Sequence, residues 1–375
     1  MEKHGNELVS LPRSFPILWN QIHDNVLTYT QKFPYIANLF LYLFLGGATI
    51  ACSDQNQSEA GQFFLKGNLE MAKNEYGQAV QYYDEALLKM NDFADAHSNR
   101  GIAYLRLGEA EKAMEDFNKA IEIDPKFDQA YFNRAGLLIE KQDFTNATAD
   151  LERIRKSYQD SSNYYLKWGD LKFSQGFYDQ ALAEYDRSLS LRPKNVQALV
   201  NRGVVSFEKK NFEVAKADFE NALKLDAQQQ LAYNNLALIF ARGNQLDRAL
   251  EMANRALDFD PVNPIYLNNK GYISLLKNQF TEAKLLIDKS LAKNDQNSYA
   301  HRNLGIYFLK NGQKAEALVA LQKAYNLSPA TDQLHFWLGE ALFANNQKAK
   351  ACIMWKKGAA LGDEEAARQQ KENCQ

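Results

Sequence analysis

Alanine recurs at a fixed interval of 34 residues through most of this chain. The alanines that share this phase are Ala79, Ala113, Ala147, Ala181, Ala215, Ala249, Ala283, Ala317 and Ala351. A period of this length that runs without insertions indicates one small structural unit stacked on copies of itself. Because each unit of such a stack contacts only its neighbours, the chain is predicted to form a solenoid.

Other positions keep the same register when each alanine is placed at position 20 of a repeat. The nine repeats then begin at residues 60, 94, 128, 162, 196, 230, 264, 298 and 332, so the array covers 60–365. Position 8 is glycine or alanine throughout, position 24 is mostly large, and position 27 is mostly small. Position 32 carries Pro125, Pro193, Pro261 and Pro329, which end one helix and set the turn into the next repeat. The small residue at position 8 predicts a point where two helices cross closely.

The register resembles that of the tetratricopeptide repeat family over about four fifths of the chain. The segment 99–104 reads Asn-Arg-Gly-Ile-Ala-Tyr and is followed by Ala113, Phe117, Ala120 and Pro125, as in the family pattern. The resemblance implies an all-α fold, a right-handed α-solenoid superhelix of nine 34-residue helix-turn-helix repeats. It also implies that positions 1–14 form a helix A, that positions 18–31 form a helix B, and that the A helices line the concave side.

Two repeats depart from the pattern in their B helices. Ile154 is a large residue at position 27 of repeat 3, and Ala253 is a small residue at position 24 of repeat 6. We expect these two repeats to pack less regularly than the others.

The segment before the repeats is apolar and uncharged from Phe33 to Ser53, and it ends in small residues followed by Cys52. This order resembles a bacterial lipoprotein signal, in which cleavage frees the cysteine for lipid attachment. The resemblance implies a leader or membrane anchor at 1–51, lipidation of Cys52, a short polar linker at 52–59 and a place in the bacterial cell envelope, at the outer membrane or periplasmic side. An uncleaved membrane anchor and a buried N-terminal helix are the alternatives.

The end of the chain carries the two other cysteines. Residues 366–375 are polar and are expected to form a short C-terminal cap helix that begins at Asp363. Cys352 is expected to be a core thiol and Cys374 a free thiol in the tail, with a disulfide between them as the alternative.

Composition and motifs point away from catalysis. The chain has 46% hydrophobic residues and a formal net charge of −2, so no basic excess indicates a nucleic-acid partner. It has no Cys-x-x-Cys, no His-Glu-x-x-His and no glycine-rich phosphate loop. His97, His301 and His335 all fall at position 4, where other repeats carry aromatic residues or leucine, so they are interpreted as packing residues. No catalytic residue, metal, cofactor or small-molecule substrate is predicted.

Asparagine recurs at position 6, a position that packing does not explain. The members of this row are Asn99, Asn133, Asn201, Asn235, Asn269 and Asn303. At about 100° per residue, position 6 groups with positions 2, 9 and 13, away from the apolar stripe, and so is expected to face the groove. An amide side chain both donates and accepts, which matches a peptide backbone. Some family members have similar asparagine ladders that clamp peptides, and the resemblance implies the same role here; the alternative is a residue that bridges helices.

These observations favour a non-enzymatic protein-protein interaction scaffold, membrane-tethered, that holds an extended peptide in its concave groove and assembles or localises an envelope complex. Leu65, Lys167 and Trp337 interrupt the asparagine row, so its longest run, Asn201 to Asn303, is the expected main site. Two alternatives remain. One is an architectural scaffold that uses its convex face or edges, and the other is the targeting subunit of an enzyme supplied in trans.

Overall fold

The computed structural model describes the backbone of residues 40–374 and the side chains of residues 55–374. All regular secondary structure in this range is helical, which confirms the predicted all-α solenoid of helix pairs. The chain divides into two compact units, unit 1 ending at Phe177 and unit 2 beginning at Tyr178. The division falls between helix A and helix B of repeat 4.

Unit 1 holds the first three repeats and helix A of the fourth. Its helices are α1 (Phe40–Ala72), α2 (Tyr76–Lys89), α3 (Ala94–Arg106), α4 (Ala110–Ile123), α5 (Asp128–Glu140), α6 (Phe144–Arg153), α7 (Arg155–Tyr158) and α8 (Ser162–Ser174).

Unit 2 holds helix B of the fourth repeat, the last five repeats and a terminal helix. Its helices are α9 (Tyr178–Leu191), α10 (Val196–Glu208), α11 (Phe212–Leu225), α12 (Gln230–Arg242), α13 (Leu246–Phe259), α14 (Pro264–Leu276), α15 (Phe280–Lys293), α16 (Ser298–Lys310), α17 (Lys314–Leu327), α18 (Leu334–Ala344), α19 (Lys348–Ala360) and α20 (Glu364–Asn373).

The turn from helix A to helix B is made at position 15, which has a positive φ in every repeat. The residues are Asn74, Gly108, Gln142, Gly176, Lys210, Asn244, Asn278, Gly312 and Asn346. A left-handed residue just past a helix lets the backbone N–H groups that follow reach the last free carbonyls. Gly108 N donates to Leu105 O, and Glu109 N donates to Tyr104 O. Glycine and asparagine prevail at this position because they adopt a positive φ at the lowest cost.

Helices A and B of one repeat cross where position 8 meets position 24. A Cβ atom on Gly305 would lie 2.4 Å from Leu321 Cγ, and one on Gly101 would lie 2.7 Å from Phe117 Cε1. Both large residues are fully buried. The predicted crossing point is confirmed, and the structure adds that the large residue at position 24 fills the space left by the missing side chain.

Three arginines at position 7 clamp helix A to helix B. Arg100 donates from Nε and Nη2 to the buried carboxylate of Asp116, at 2.8 and 2.7 Å. Arg134 with Asp150, and Arg202 with Asp218, repeat this bidentate geometry. Such pairs are stronger than neutral hydrogen bonds and fix the relative orientation of their partners.

Repeat 3 is irregular, as expected. Its B helix stops at Arg153, and Ile154 lies fully buried between α6 and the short α7. Next to the break, the Tyr164 hydroxyl of α8 donates to the Leu151 carbonyl at 3.1 Å. A side chain too large for position 27 is therefore accommodated by interrupting the helix. In repeat 6, by contrast, Ala253 is buried and α13 runs unbroken, so the expected irregularity is not seen in its secondary structure.

The segment expected to be a polar linker before the array is helical. Residues 52–59 lie within α1, because this polar stretch contains no proline or glycine to stop a helix. Within the part of the chain that the structure describes, no helix is both long enough and apolar enough to cross a membrane. Residues 1–39 and the side chain of Cys52 lie outside the described residues, so lipidation at Cys52 stays a prediction.

The C-terminal cap is helical and covalently attached. The Asp363 carboxylate accepts from Ala366 N at 3.1 Å and so caps α20, as predicted. Cys352 in α19 and Cys374 form a disulfide. The expectation of a core thiol and a free tail thiol is therefore wrong, because α20 folds back on α19 and brings the two cysteines together.

The three histidines at position 4 are buried, as a packing role requires. His97 Nδ1 lies 2.9 Å from Asp116 Oδ1, and His301 Nε2 lies 2.9 Å from the Asp295 carbonyl. His335 packs edge-on against Tyr325. Burial lowers the pKa of His301 and of His335, and nearby Lys357 lowers the pKa of His335 further.

We expect Gly305→Ala to lower the free energy of unfolding of unit 2 by about 1–3 kcal/mol, because the new methyl group overlaps Leu321. The matched control is Gly243→Ala, where φ is −79° and the nearest atoms to a Cβ lie at 3.7 Å. The control should be neutral or stabilising, by about 0.4–1 kcal/mol. Chemical denaturation of both variants measures the difference, and equal stabilities would contradict the crossing geometry.

We also expect unit 2 to lose stability as pH falls below about 6.5, the ordinary pKa of histidine. The folded state holds His301 and His335 at a lowered pKa, so between the two values the unfolded chain binds more protons and is favoured. His335→Phe keeps an aromatic ring against Tyr325 and removes one titrating group. Its free energy of unfolding should depend less on pH between 5 and 7.5 than that of the wild type; an unchanged slope would show that His335 does not contribute.

Candidate functional site

The A helices of unit 2 form one continuous layer. α12 contacts α14, α14 contacts α16, and α16 contacts α18, although a B helix separates each pair in sequence. The B helices pack against the A helices before and after them, as α13 does with α12 and α14. Because successive A helices contact one another directly, their layer is the inner, concave side of the stack, as the resemblance implied.

The position 6 asparagines lie in this inner layer and in its counterpart in unit 1, but they differ in exposure. Asn133, Asn201 and Asn269 are half-buried, whereas Asn99, Asn235 and Asn303 are buried. The expectation that position 6 is open to the groove is therefore wrong for the second group, because the close spacing of the A helices covers these side chains.

Four of these asparagines bridge neighbouring repeats. The Nδ2 atoms of Asn99, Asn133, Asn269 and Asn303 donate to side-chain oxygens one repeat earlier, at Asn68, Ser98, Asn234 and Asn268. Asn235 donates to the Leu231 carbonyl of its own helix, and the Asn201 amide oxygen accepts from Gln197, also on the same helix. The row thus joins A helices to one another. Binding of a peptide backbone by these residues stays a prediction.

In repeats 6 to 8 the bridges continue into a chain of hydrogen bonds. Asn269 donates to Asn234 at 3.0 Å, and Asn268 donates to Asn269 at 3.3 Å. Asn303 in turn donates to Asn268 at 2.8 Å. Arg302 ends the chain by donating from Nε and Nη2 to the Asn303 amide oxygen, at 3.1 and 2.9 Å. These side chains link three successive A helices.

Arg302 is a buried cation whose hydrogen-bond acceptors are neutral. It is 5% exposed, and it lies between the rings of Tyr272 and Tyr299, 5.1 and 5.2 Å from their centroids. Its Nη1 donates to the Asp332 backbone carbonyl at 2.6 Å. Burial lowers the pKa of Arg302 because the charged form is poorly solvated there. The arginines at position 7 each have a bidentate carboxylate, and Arg302 has none.

Asp332 links Arg302 to Arg242 in α12, the A helix two repeats before the helix of Arg302. Its carboxylate accepts from Arg242 Nη2 at 2.7 Å, although 90 residues separate the pair. Burial raises the pKa of Glu208, and the nearby charge of Asp332 raises it further. Burial also raises the pKa of Tyr299. We call this group of side chains the Asp332 cluster; it consists of Glu208, Arg242, Tyr272, Tyr299, Arg302 and Asp332.

Sequence reasoning did not single out this cluster. Glu208 and Arg242 occupy position 13, Tyr272 position 9 and Tyr299 position 2, the positions assigned to the groove. The sequence contains one feature that could have indicated the cluster: Arg302 is the only charged residue at position 5 in the nine repeats. The contact between Arg242 and Asp332 has no signal in the sequence, since it depends on the curvature of the stack.

A second surface lies on the outer side of unit 2. α17 and α19 border a groove of about 650 Å³ whose lining includes Val319, Lys323, Leu342, Lys350 and Ile353. Val319 is 72% exposed and Ile353 is 53% exposed. α19 contains four lysines and no acidic residue. Neither this groove nor the inner layer holds a group of histidine, cysteine and acidic side chains that could bind a metal, within the described residues.

Comparison with known proteins gives matches to relatives with the same repeat. The chain is 31% identical over 120 residues to a tetratricopeptide repeat and J domain-containing co-chaperone of Cryptococcus neoformans, covering 32% of this chain and 23% of that protein. It is 35% identical over 104 residues to a UDP-N-acetylglucosamine–peptide N-acetylglucosaminyltransferase of Giardia intestinalis, covering 28% of this chain and 7% of that protein. The chain thus spans less than a quarter of either relative.

Among solved structures, the APC/C hetero-tetramer Cut9–Hcn1 matches with a TM-score of 0.59 and 15% identity, over 84% of this chain and 76% of that one. This likeness concerns the fold alone. Profiles described as tetratricopeptide repeat or TPR repeat match residues 67–108, 94–127, 169–210, 207–264 and 275–330, more than half of the chain. With the paired helices and the position 8 crossings, these matches show that the chain belongs to the tetratricopeptide repeat family.

Proposed function

We propose that this protein is a non-enzymatic scaffold that binds an extended segment of a partner protein along the inner layer of A helices. The family supports the coarser statement, that the chain is a protein-protein interaction scaffold. The finer statement is that the partner binds as an extended segment along the A helices. The inner layer supports it, because this layer presents amide, aromatic and charged side chains where an extended backbone would lie.

The observation that carries the proposal is the half-buried state of Asn201 and Asn269 in unit 2. A primary amide has two N–H donors and an oxygen with two lone pairs, and the bridge from Asn269 uses one of its N–H groups. A peptide backbone also offers one donor and one acceptor per residue. Asn201 and Asn269 lie two repeats apart, so with A helices about 9 Å apart and a peptide advancing about 3.3 Å per residue, the two amides would contact peptide residues about five or six positions apart.

The second part of the proposal is a membrane tether. The apolar segment that ends at Cys52 supports lipid attachment at this cysteine in a bacterial envelope, where the scaffold would assemble or localise a membrane-associated complex. The disulfide between Cys352 and Cys374 fits this compartment, since disulfides persist in oxidising environments.

The outer groove between α17 and α19 favours a second candidate function, an architectural scaffold that docks folded partners on its convex face. Exposed Val319 and Ile353 beside lysines provide apolar area with a charged rim, which is the usual anatomy of an interface. In that case the inner layer would be purely structural. A targeting role for an enzyme in trans would use either surface.

We expect Asn201→Ala/Asn269→Ala to lose partners that cross-link to the wild-type protein in native membranes, because two of the reachable amides are gone. The matched control is Asn221→Ala/Asn254→Ala, two exposed asparagines on the B helices α11 and α13. Loss of the bridge to Asn234 should cost about 1–3 kcal/mol, so thermal unfolding of both variants is measured in parallel. Partners retained by a folded Asn201→Ala/Asn269→Ala variant would move the site to the outer groove.

The tether predicts a specific result for Cys52→Ser. Without the lipid attachment point, the variant should fail to incorporate a labelled fatty acid. It should also keep its leader, which increases its mass on an electrophoretic gel. If Cys52→Ser instead remains in the membrane fraction and has the same mass as the wild-type protein, the result would support an uncleaved anchor.

A further inference from the structure

The segment before α18 departs from the pattern of the other A helices in unit 2. α10, α12, α14 and α16 each begin at position 1 of their repeat, whereas α18 begins two residues late, at Leu334. Gln333 has φ +56°, and it is the only described non-glycine residue with a positive φ outside position 15. A left-handed conformation is unfavourable for a residue with a Cβ, so surrounding contacts hold it.

Those contacts direct the segment toward the inner layer. The Thr331 hydroxyl lies 2.8 Å from Ser298 Oγ, and Thr331 is buried. Asp332 then places its carbonyl on Arg302 and its carboxylate on Arg242. One residue of the chain therefore contacts two arginines of the inner layer, one through its backbone and one through its acidic side chain.

This arrangement is the one that a bound acidic peptide would have. A peptide offers backbone carbonyls together with carboxylates, and arginine binds both. Tyr272 and Tyr299 hold the Arg302 guanidinium between their rings, and Asn303 occupies its Nε and Nη2 atoms, so the cation is fixed before any ligand arrives. None of these Arg302 hydrogen bonds goes to a carboxylate, and a buried cation without a hydrogen-bonded counter-charge is costly because its desolvation is poorly compensated.

The contact that covers the arginines is easily exchanged. Both Arg242 and Asp332 are about 40% exposed, and exposed ion pairs contribute little to stability. Glu208 also lies near Asp332, and like charges repel. Displacement of Asp332 would release Gln333 from its left-handed conformation.

We propose that Arg242 and Arg302 form a binding site for an acidic side chain of the peptide ligand, and that Asp332 occupies this site as an internal competitor when no ligand is bound. The inference rests on the proposed peptide-binding function of the inner layer, and it specifies the ligand as an extended segment that carries aspartate or glutamate. The outer groove with its lysines takes no part in it.

The test uses the full-length chain in detergent and two fluorescein-labelled peptides, four copies of Gly-Ser-Glu and four copies of Gly-Ser-Gln. We expect Asp332→Asn to bind the glutamate peptide about two- to fivefold more tightly than the wild type, the gain that release of one exposed ion pair gives. Arg242→Gln should weaken this binding, and added salt should weaken it further. Affinity for the glutamine peptide should not change in either variant.

Arg242 is used because it is partly exposed, so its replacement should leave the fold intact, whereas Arg302→Gln is informative only if the variant unfolds at the wild-type temperature. Lys323→Gln/Lys350→Gln, on the outer groove, is the matched control and should leave the affinity for the glutamate peptide unchanged. Equal affinities of wild type and Asp332→Asn for the glutamate peptide, or failure of Asp332→Asn to bind it, would overturn the inference. The proposed function is judged separately, by the cross-linked partners of Asn201→Ala/Asn269→Ala.

Discussion

The close approach of helix A to helix B within each repeat is the contact on which the rest of the structure depends. A glycine on helix A leaves a space that a large, fully buried residue sixteen positions later fills, as Leu321 does at Gly305. The left-handed residue at position 15 returns the chain at the angle that this contact requires. Since most repeats place this contact at the same point, the helix pairs stack in one register, and their A helices come near enough to form side-chain hydrogen bonds with one another.

That spacing also decides what the inner layer can do. Asn303 donates to Asn268 on the neighbouring A helix and is fully buried. Asn201 is half-buried, and its amide oxygen accepts from Gln197, one turn away on the same helix. The same residue type at the same position is thus a bridge in one repeat and a reachable group in another. A ligand that lies along this layer would meet a few amides at intervals, separated by aromatic rings and charges.

The helix pairs, their boundaries to within about one residue in the regular repeats, and the crossing point were predictable from the sequence because they depend on contacts within one repeat, which the 34-residue period displays directly. An irregularity in repeat 3 was predictable for the same reason, since one oversized side chain at position 27 has a local effect, but its form, a break in the B helix, was not. Contacts between distant repeats were not predictable. The ion pair of Arg242 with Asp332 spans 90 residues and depends on curvature, which no single position encodes. The disulfide depends in the same way on the fold of α20 against α19.

That disulfide has a consequence for how the stack comes apart. In a linear array the terminal repeats have only one neighbour, so unfolding ordinarily starts at the ends and proceeds inward. In this structure α20 is tied to α19 through Cys374 and Cys352, and Ala366 of α20 is fully buried. Fraying from the C-terminus would have to open a covalently closed loop as a whole. The part of the inner layer beside α18 therefore adjoins a segment, α19 and α20, that the disulfide protects against fraying.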